Sequence, residues 1–340
     1  MTTAYTGATS TMLTVLTEPT PFFNAGGPWR NLNRALPGRA RAWLTRAWRR
    51  PVGGHAAVTR SLLDGLRSLA APHNYNPPLA SRIAAHCVVL SNAEALRQAI
   101  QLKRSGRIRR LLAGPNLFTL PTEMDGLLTS PEVDVCLVPS AWVKELYLSM
   151  APALAGRIEV WAAGVDTSVW SAPARPTEDR RQPSVLLYAK SAMSESELAA
   201  LSAGLSRQGA RVTRLDYGRY DAAQFRQALA SADLCVFVSA SESQGIALQE
   251  AWSCNKPTWV FDPRSWTDPH GQHHPASSAP YLTPDCGHTF SDAPALEMLL
   301  DNWKNGSLQY RPRAWVEQHM TDTISATRLL HILFNQKGRL

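Results

Sequence analysis

Residues 232–260 read ADLCVFVSASESQGIALQEAWSCNKPTWV. Within this stretch, 233–238 is a short apolar run rich in β-branched and aromatic side chains, the pattern of a buried strand. Residues 239–244 form a polar turn, and 245–254 carry the spacing of a helix. A strand, turn and helix in this order form part of a βαβ unit, and open parallel sheets hold their ligands at the carboxyl edge, where such turns lie. Two carboxylates bracket the junction: Glu242 in the turn and Glu250 in the helix, with seven residues between them. The amides of Gly245, Ile246 and Ala247 are first-turn donors with no partner inside the helix, at the positive end of its dipole. Such an end suits a phosphate. Glu250 can accept a pair of ribose hydroxyls and Glu242 the hydroxyls of a sugar, with the amides between them facing a diphosphate. The plainer alternative is a solvated helix start where the dipole favours an acidic side chain.

The same residues carry a resemblance. An apolar strand followed by Ser239, Glu242, Gly245, Glu250, Ala251 and Pro257 resembles the signature of retaining GT-B glycosyltransferases of the glycogen-synthase-like family 4. Asn255 departs mildly from it, since family members usually have glycine near this point, but Asn also tolerates the left-handed conformation at a helix end. The resemblance implies an α/β protein of two Rossmann-like domains facing a cleft. It further implies a nucleotide-diphosphate-sugar as donor substrate, no metal or other cofactor, a glycan or lipid-linked acceptor, and transfer with retention. Glu242 and Lys190 are then the candidates at the chemistry. Glu250, Gly245, Ile246, Ala247 and Lys190 are the candidates for holding the donor.

Upstream, SVLLYAKS (184–191) reads as a strand ending in a polar turn. Family members usually place Gly-Arg at this turn and a Lys five residues later, two cations for the diphosphate. This chain has Ala189-Lys190 and, at the later position, Glu195. Lys190 supplies one cation; Arg219, in the loop after the next expected strand (211–217), is a candidate substitute for the other. A helix over 221–230 leads back to the opening stretch, and 257–261 is the strand after it. The loop 262–280 contains His270, His273 and His274, but no carboxylate or thiolate at regular spacing to complete a metal site. The chain closes on a helix expected over 313–334, which in GT-B folds returns across the cleft to the first domain.

Further upstream, strands are expected at 12–18, 85–91, 109–113, 133–139 and 157–162, and helices at 55–69, 93–104 and 140–150. Their alternation means parallel βαβ units. Ser140, capping its helix, and Gly164-Val165-Asp166 resemble the segment that closes the first domain in the same family. The expected organisation is a first domain over 1–165, a linker over 166–183, a donor domain over 184–312 and the returning helix within 313–340. On the acceptor side, Gly53 and Gly54 are candidates for the glycine-rich loop of the family, with Gly26-Gly27 the competitor. Asn116 stands where many members carry a histidine, and Glu123 and Asp125 are unassigned carboxylates facing the same way. His73 and Asn76 fit either the cleft or a turn, and His86 a core or edge position. The absent histidine and second cation motivate the alternative of a catalytically silent fold member that binds a nucleotide-sugar or glycan.

From residue 19 to 63 there are eight arginines and no acidic residue, interleaved with tryptophans. Over 36–50, Leu36, Ala40, Trp43, Leu44, Ala47 and Trp48 share one arc of a helical wheel, and the arginines fill the remainder. This basic amphipathic segment suits an anionic membrane surface, or a helix packed on its domain with solvated arginines. The net charge of +8 over 340 residues brings no nucleic-acid-binding module with it, so no nucleic-acid partner is expected. Five dispersed cysteines lack metal or disulfide spacing, and 87, 136 and 235 fall in expected strands. With no leader pattern and no long apolar run, the expectation is a cytoplasmic protein, with 36–50 a candidate for lying on the inner face of the membrane.

Overall fold

A computed structural model describes residues 12–17, 54–172, 182–190 and 192–334. The basic segment 36–50, Gly53 and Gly26-Gly27 lie outside the described residues.

The first sheet contains β1 (Leu13–Leu16), β2 (His73–Tyr75), β3 (His86–Val89), β4 (Arg110–Ala113), β5 (Val135–Val138) and β6 (Ile158–Val160) in the order β2-β1-β3-β4-β5-β6. The second contains β7 (Ser184–Ala189), β8 (Arg211–Asp216), β9 (Leu234–Val238), β10 (Thr258–Phe261) and β13 (Gly287–Phe290) in the order β13-β10-β9-β7-β8. Every pairing in both sheets is parallel. Each sheet starts in the middle and winds outward both ways, so the strand order reverses between β1 and β3 and again between β7 and β9. These reversals open the crevices in which doubly wound sheets bind ligands. A small antiparallel hairpin, β11 (Ser265–Thr267) with β12 (His273–Pro275), lies outside both sheets.

The strands read as continuous apolar runs because helices cover both faces of each sheet. Along β9, Leu234, Val236 and Val238 enter one apolar cluster with α4 (Glu195–Arg207) and α7 (Ala293–Lys304). Cys235 and Phe237 enter the opposite cluster with α5 (Ala222–Ser231), α6 (Ile246–Ser253) and α8 (Pro312–His319). In the first sheet, Cys87 and Val89 face α2 (Ala93–Arg104) and α3 (Ala141–Met150), while Val88 and Leu90 face α1 (Gly54–Ser68) and α9 (Asp322–Phe334). All five cysteines are free and buried. Burial pushes the Cys87 thiol up to about 12, which leaves it a protonated core side chain.

The expected single helix over 313–334 is two. Met320 leaves helical geometry at φ −146°, and the chain at Thr321 bridges to Val165 before α9 begins. Only after this bend does the chain lie on the first sheet, where Trp161 Nε1 donates to the Ser325 carbonyl and Ser325 Oγ to that of Ala162. Glycine is needed at this crossing: a methyl group at Gly164 would overlap the Thr321 carbonyl, and one at Gly65 that of Asp322. Ser140 sits at the N-cap of α3 in extended geometry but makes no side-chain cap bond, a correction to the expected cap, and its buried Oγ has no partner among the described residues. His73 lies in a strand, while Asn76 lines a cavity at the carboxyl edge of the first sheet. His73 starts edge strand β2, and Asn76 closes on Thr17. His86, at the start of β3, packs edge-on against Phe334.

Candidate donor and acceptor site

The reversal between β7 and β9 brings the two halves of the candidate site together. Lys190 follows β7, its amide donating to Val238 at the end of β9. Its ammonium reaches both carboxylate oxygens of Glu242, at 2.9 and 3.1 Å, and lies 4.9 Å from the ring centroid of Tyr217. Ser239 Oγ donates to Glu242 at 2.9 Å, and the Glu242 amide donates to the Ser277 carbonyl. The turn therefore holds its carboxylate rigidly against the one cation that the sequence placed there.

Gly245 is the N-cap of α6, at φ 80°, and the amides of Gly245, Ile246 and Ala247 make no hydrogen bond among the described residues. Ile246 packs on the apolar cluster of the first sheet, and a methyl group on Gly54 would stand 3.8 Å from its Cδ1. Gly54 of α1 thus lies against the start of α6, whose positive dipole end faces the cleft. One turn into α6, the Glu250 carboxyl makes no hydrogen bond among the described residues. Burial pushes it up to about 8, against the pull of Arg60 from α1 and Arg226 from α5. Asn255 ends this helix in the left-handed conformation, at φ 57°, as the departure from glycine allows.

The two halves are tied across the cleft by backbone-directed bonds. Gln244 pairs with both backbone groups of Ala163, Trp142 Nε1 donates to the Glu242 carbonyl at 3.0 Å, and Tyr281 donates to that of Pro139. Beneath these ties lies a cavity of about 380 Å³ lined by His55, Asn116, Phe118, Glu123, Trp142, Lys190, Glu242 and Trp266 among others. Asn116 reaches it because Gly114, at φ 113°, lets the chain turn against the Leu137 carbonyl, where any side chain would overlap. A larger cavity, about 710 Å³, lies along the carboxyl edge of the first sheet, but its Asn76 and Asn92 are already spent on Thr17 and on the first amides of α2.

Several expected roles are redistributed. Glu123 lines the cavity, and its Oε1 accepts the amides of Thr119 and Leu120, which fixes the side chain on its own loop. Glu195, at the position of the second family cation, takes both terminal nitrogens of Arg214 at 2.6 and 2.8 Å. Arg219 is exposed in the loop after β8, where its charge acts on Glu195, and no hydrogen bond joins it to Lys190 or Glu242. The histidine loop does contain a partnering carboxylate: Asp268, buried and held by the amides of His270 and Gln272, meets His274 Nε2 at 3.0 Å. Among the described residues no three His, Cys, Asp or Glu side chains cluster as a metal site. Sequence reasoning missed Arg60, Arg226, Tyr217, Trp142 and Trp266. Tyr217 follows β8, the strand beside β7, and Trp142 lies in the first turn of the helix after β5. The strand order alone would have placed both at the crevice.

Known structures agree with this architecture. The lipopolysaccharide outer core galactosyltransferase WaaB in its apo form superposes with a TM-score of 0.54 at 12% identity, over 95% of this chain and 99% of that one. A glycosyltransferase from Rickettsia africae ESF-5 gives 0.53 at 12%, over 96% and 99%. Anabaena HepE, solved with UDP and glucose, gives 0.52 at 12%, again over 96% and 99%. The chain has the GT-B fold. No family model matches it, and no curated protein matches it by sequence. At 12% identity the likeness carries the fold; what the GT-B cleft does here rests on its own side chains.

Proposed function

We propose that this protein is a glycosyltransferase that moves a hexose or related sugar from a nucleotide-diphosphate-sugar to a glycan or lipid-linked acceptor with retention, using no further cofactor. The observation that carries the proposal is the convergence at the β7/β9 reversal. One ammonium, unpaired first-turn amides and an unbonded carboxyl occur in the order in which a diphosphate and a ribose would need them. Similarity to glycosyltransferases over nearly the whole length of those chains supports the same reading.

In this reading the donor diphosphate lies against the amides of Gly245, Ile246 and Ala247, and Glu250 accepts the ribose hydroxyls. Lys190 leaves Glu242 for the diphosphate, and the released Glu242 accepts hydroxyls of the donor sugar. As the glycosidic bond breaks, negative charge grows on the leaving diphosphate. Lys190 and the start of α6 stabilise that charge more than they stabilise the bound donor. The leaving oxygen takes the acceptor proton, so a histidine base at position 116 is not required. The second cationic position falls to Arg60 or Arg226, whose charges already act on Glu250. The segment 36–50 is proposed to hold the protein on the cytoplasmic face of an anionic membrane. Among the described residues no helix is long and apolar enough to cross one.

The test is a thermal-shift screen of nucleotide-sugars followed by calorimetry with the matching nucleoside diphosphate, and by donor hydrolysis without acceptor. Above pH 8, where the Glu250 carboxyl is ionised, Glu250→Ala should weaken nucleoside-diphosphate binding by about 1.5–3 kcal/mol, the worth of hydrogen bonds to a charged group, with the fold intact. Unchanged affinity would remove the ribose assignment. Binding without any hydrolysis by the wild type would favour a silent nucleotide-sugar-binding member, which the lack of a family histidine and of Lys at position 195 also motivates.

A further inference from the structure

The hairpin β11–β12 belongs to neither sheet, yet Trp266 on it packs on the apolar cluster beneath α3 of the first half. Its ring lies 6.3 Å from that of Trp142, inclined at 56°, and 5.9 Å from that of His274. Each ring is fixed from behind. Trp142 Nε1 is spent on the Glu242 carbonyl, and His274 is held by the buried Asp268. Both tryptophans are half-buried and line the 380 Å³ cavity, a volume inside the range of about 300–1,000 Å³ typical of small-ligand sites.

We infer that Trp142 and Trp266 seat a pyranose ring of the acceptor; the inference rests on the glycosyltransferase reading of the same cleft. Inclined rings do not stack on one another, so each keeps a face for a ligand. The remaining lining mixes apolar side chains, Leu117, Phe118, Val143 and Leu146, with the polar Lys190, Glu242, Ser241, Ser243 and Asn116, whose buried Nδ2 has no hydrogen-bond partner among the described residues. A ligand that fills this space must offer an apolar face to the indoles and hydroxyls to the Asn116 amide and the two serines. A pyranose has both, with C–H groups on its faces and hydroxyls around its rim. A lipid chain would satisfy the rings but strand the polar groups without water, at a cost that burial always imposes on unpaired polar atoms. One tryptophan comes from each half of the molecule, so the seat exists only when the cleft is assembled. The Trp142–Glu242 hydrogen bond couples its occupation to the turn that carries the candidate chemistry.

The experiment is saturation-transfer NMR on the full chain with methyl α- and β-hexopyranosides of glucose, galactose and mannose. It compares wild type, Trp266→Ala, Trp266→Phe, Asn116→Ala and Glu250→Ala, each checked by thermal melting, with nucleoside-diphosphate affinity measured alongside. At least one glycoside should bind the wild type. Trp266→Ala should weaken it about tenfold, the loss of a stacking face, and Trp266→Phe should recover most of that. Asn116→Ala should weaken it while leaving both rings in place, which decides the matter if Trp266→Ala melts early. Glu250→Ala should leave the glycoside alone and lose the nucleotide. The inference is overturned if no glycoside binds the wild type, if Trp266→Ala and Asn116→Ala bind it undiminished, or if Trp266→Ala loses the nucleotide instead. Donor hydrolysis is scored separately. Its absence in the wild type overturns the transferase reading and leaves the sugar seat to stand or fall on the NMR.

Discussion

Lys190 and Glu242 form an ion pair at 2.9 Å, and this pairing shapes what each substitution does. Removing Lys190 leaves Glu242 with Ser239 alone and, in the proposed reading, takes away the cation for the leaving group. Lys190→Ala should therefore cut donor hydrolysis about 10²–10³-fold with donor affinity less affected, because the charge it meets is greatest in the transition state. Initial rates over a range of donor concentrations decide this; a raised KM with intact kcat would assign Lys190 to ground-state binding. Glu250 makes a second residue-scale prediction. Burial lifts its carboxyl from 4.5 to about 8, so across that window the folded protein holds a proton that the unfolded chain has released. Stability then falls as pH rises from 4.5 to 8, and the loss is complete above about 8. Asp322, pushed up to about 6 by burial, acts in the same direction over a lower window. Melting curves from pH 5 to 8.5 should show this decline. Glu250→Gln should flatten most of it and raise Tm at pH 8.5 by a few degrees, at about 2–4 °C per kcal/mol.

Among the elements, α9 shows how little freedom the cleft has. It packs on α1 through Ala326, Leu329 and Leu333, and the approach is close enough that Gly65 has the Asp322 carbonyl where a side chain would be. Gly65→Ala should cost about 1–3 kcal/mol or more, as overpacking does, and lower Tm without altering secondary structure. Circular dichroism with thermal melting checks both. A variant as stable as the wild type would mean that α1 and α9 can part without penalty. α1 also carries His55 to the cavity, so partial activity in this variant would report the placement of α1 against α6.

For the molecule as a whole, the two halves are joined by a covalent passage near residue 165, by α9, and by the bonds of Gln244, Trp142 and Tyr281. Whether the molecule also rests on a membrane depends on 36–50. If it does, lipid affinity has an apolar part from Trp43, Leu44 and Trp48 and an electrostatic part of about 1 kcal/mol per arginine. The electrostatic part must fade as salt shortens the Debye length from about 10 Å toward about 3 Å. Liposome co-sedimentation should show preference for anionic over neutral vesicles, loss at high salt, and loss in Trp43→Ala/Trp48→Ala. Little lipid binding by any form, with a lower Tm for the double variant, would place these tryptophans against protein instead.

The sequence by itself determined what depends on neighbours along the chain. Period-two burial in apolar runs, polar turns at strand ends and capping residues marked nearly all the strands of both sheets and the Glu242–Glu250 helix between β9 and β10. These signals are local, because a strand buried on both faces must be apolar throughout. What failed locally is equally instructive. The helix over Glu195–Arg207 is not among the expected elements, although Ser194 and Glu197 form a capping box at its start. Helical periodicity ran on through Met320, because only the approach of Thr321 to Val165 bends the chain there. Tertiary structure alone decided who meets whom in the cleft. It paired Lys190 with Glu242, gave Glu195 to Arg214, turned Glu123 inward to its own loop, brought Arg60 to Glu250 across the halves, and set Trp266 beside Trp142. Each of these meetings joins residues separated by a sheet reversal, a loop or a domain crossing. Their distances follow from strand order and helix packing, which spacing along the chain does not encode.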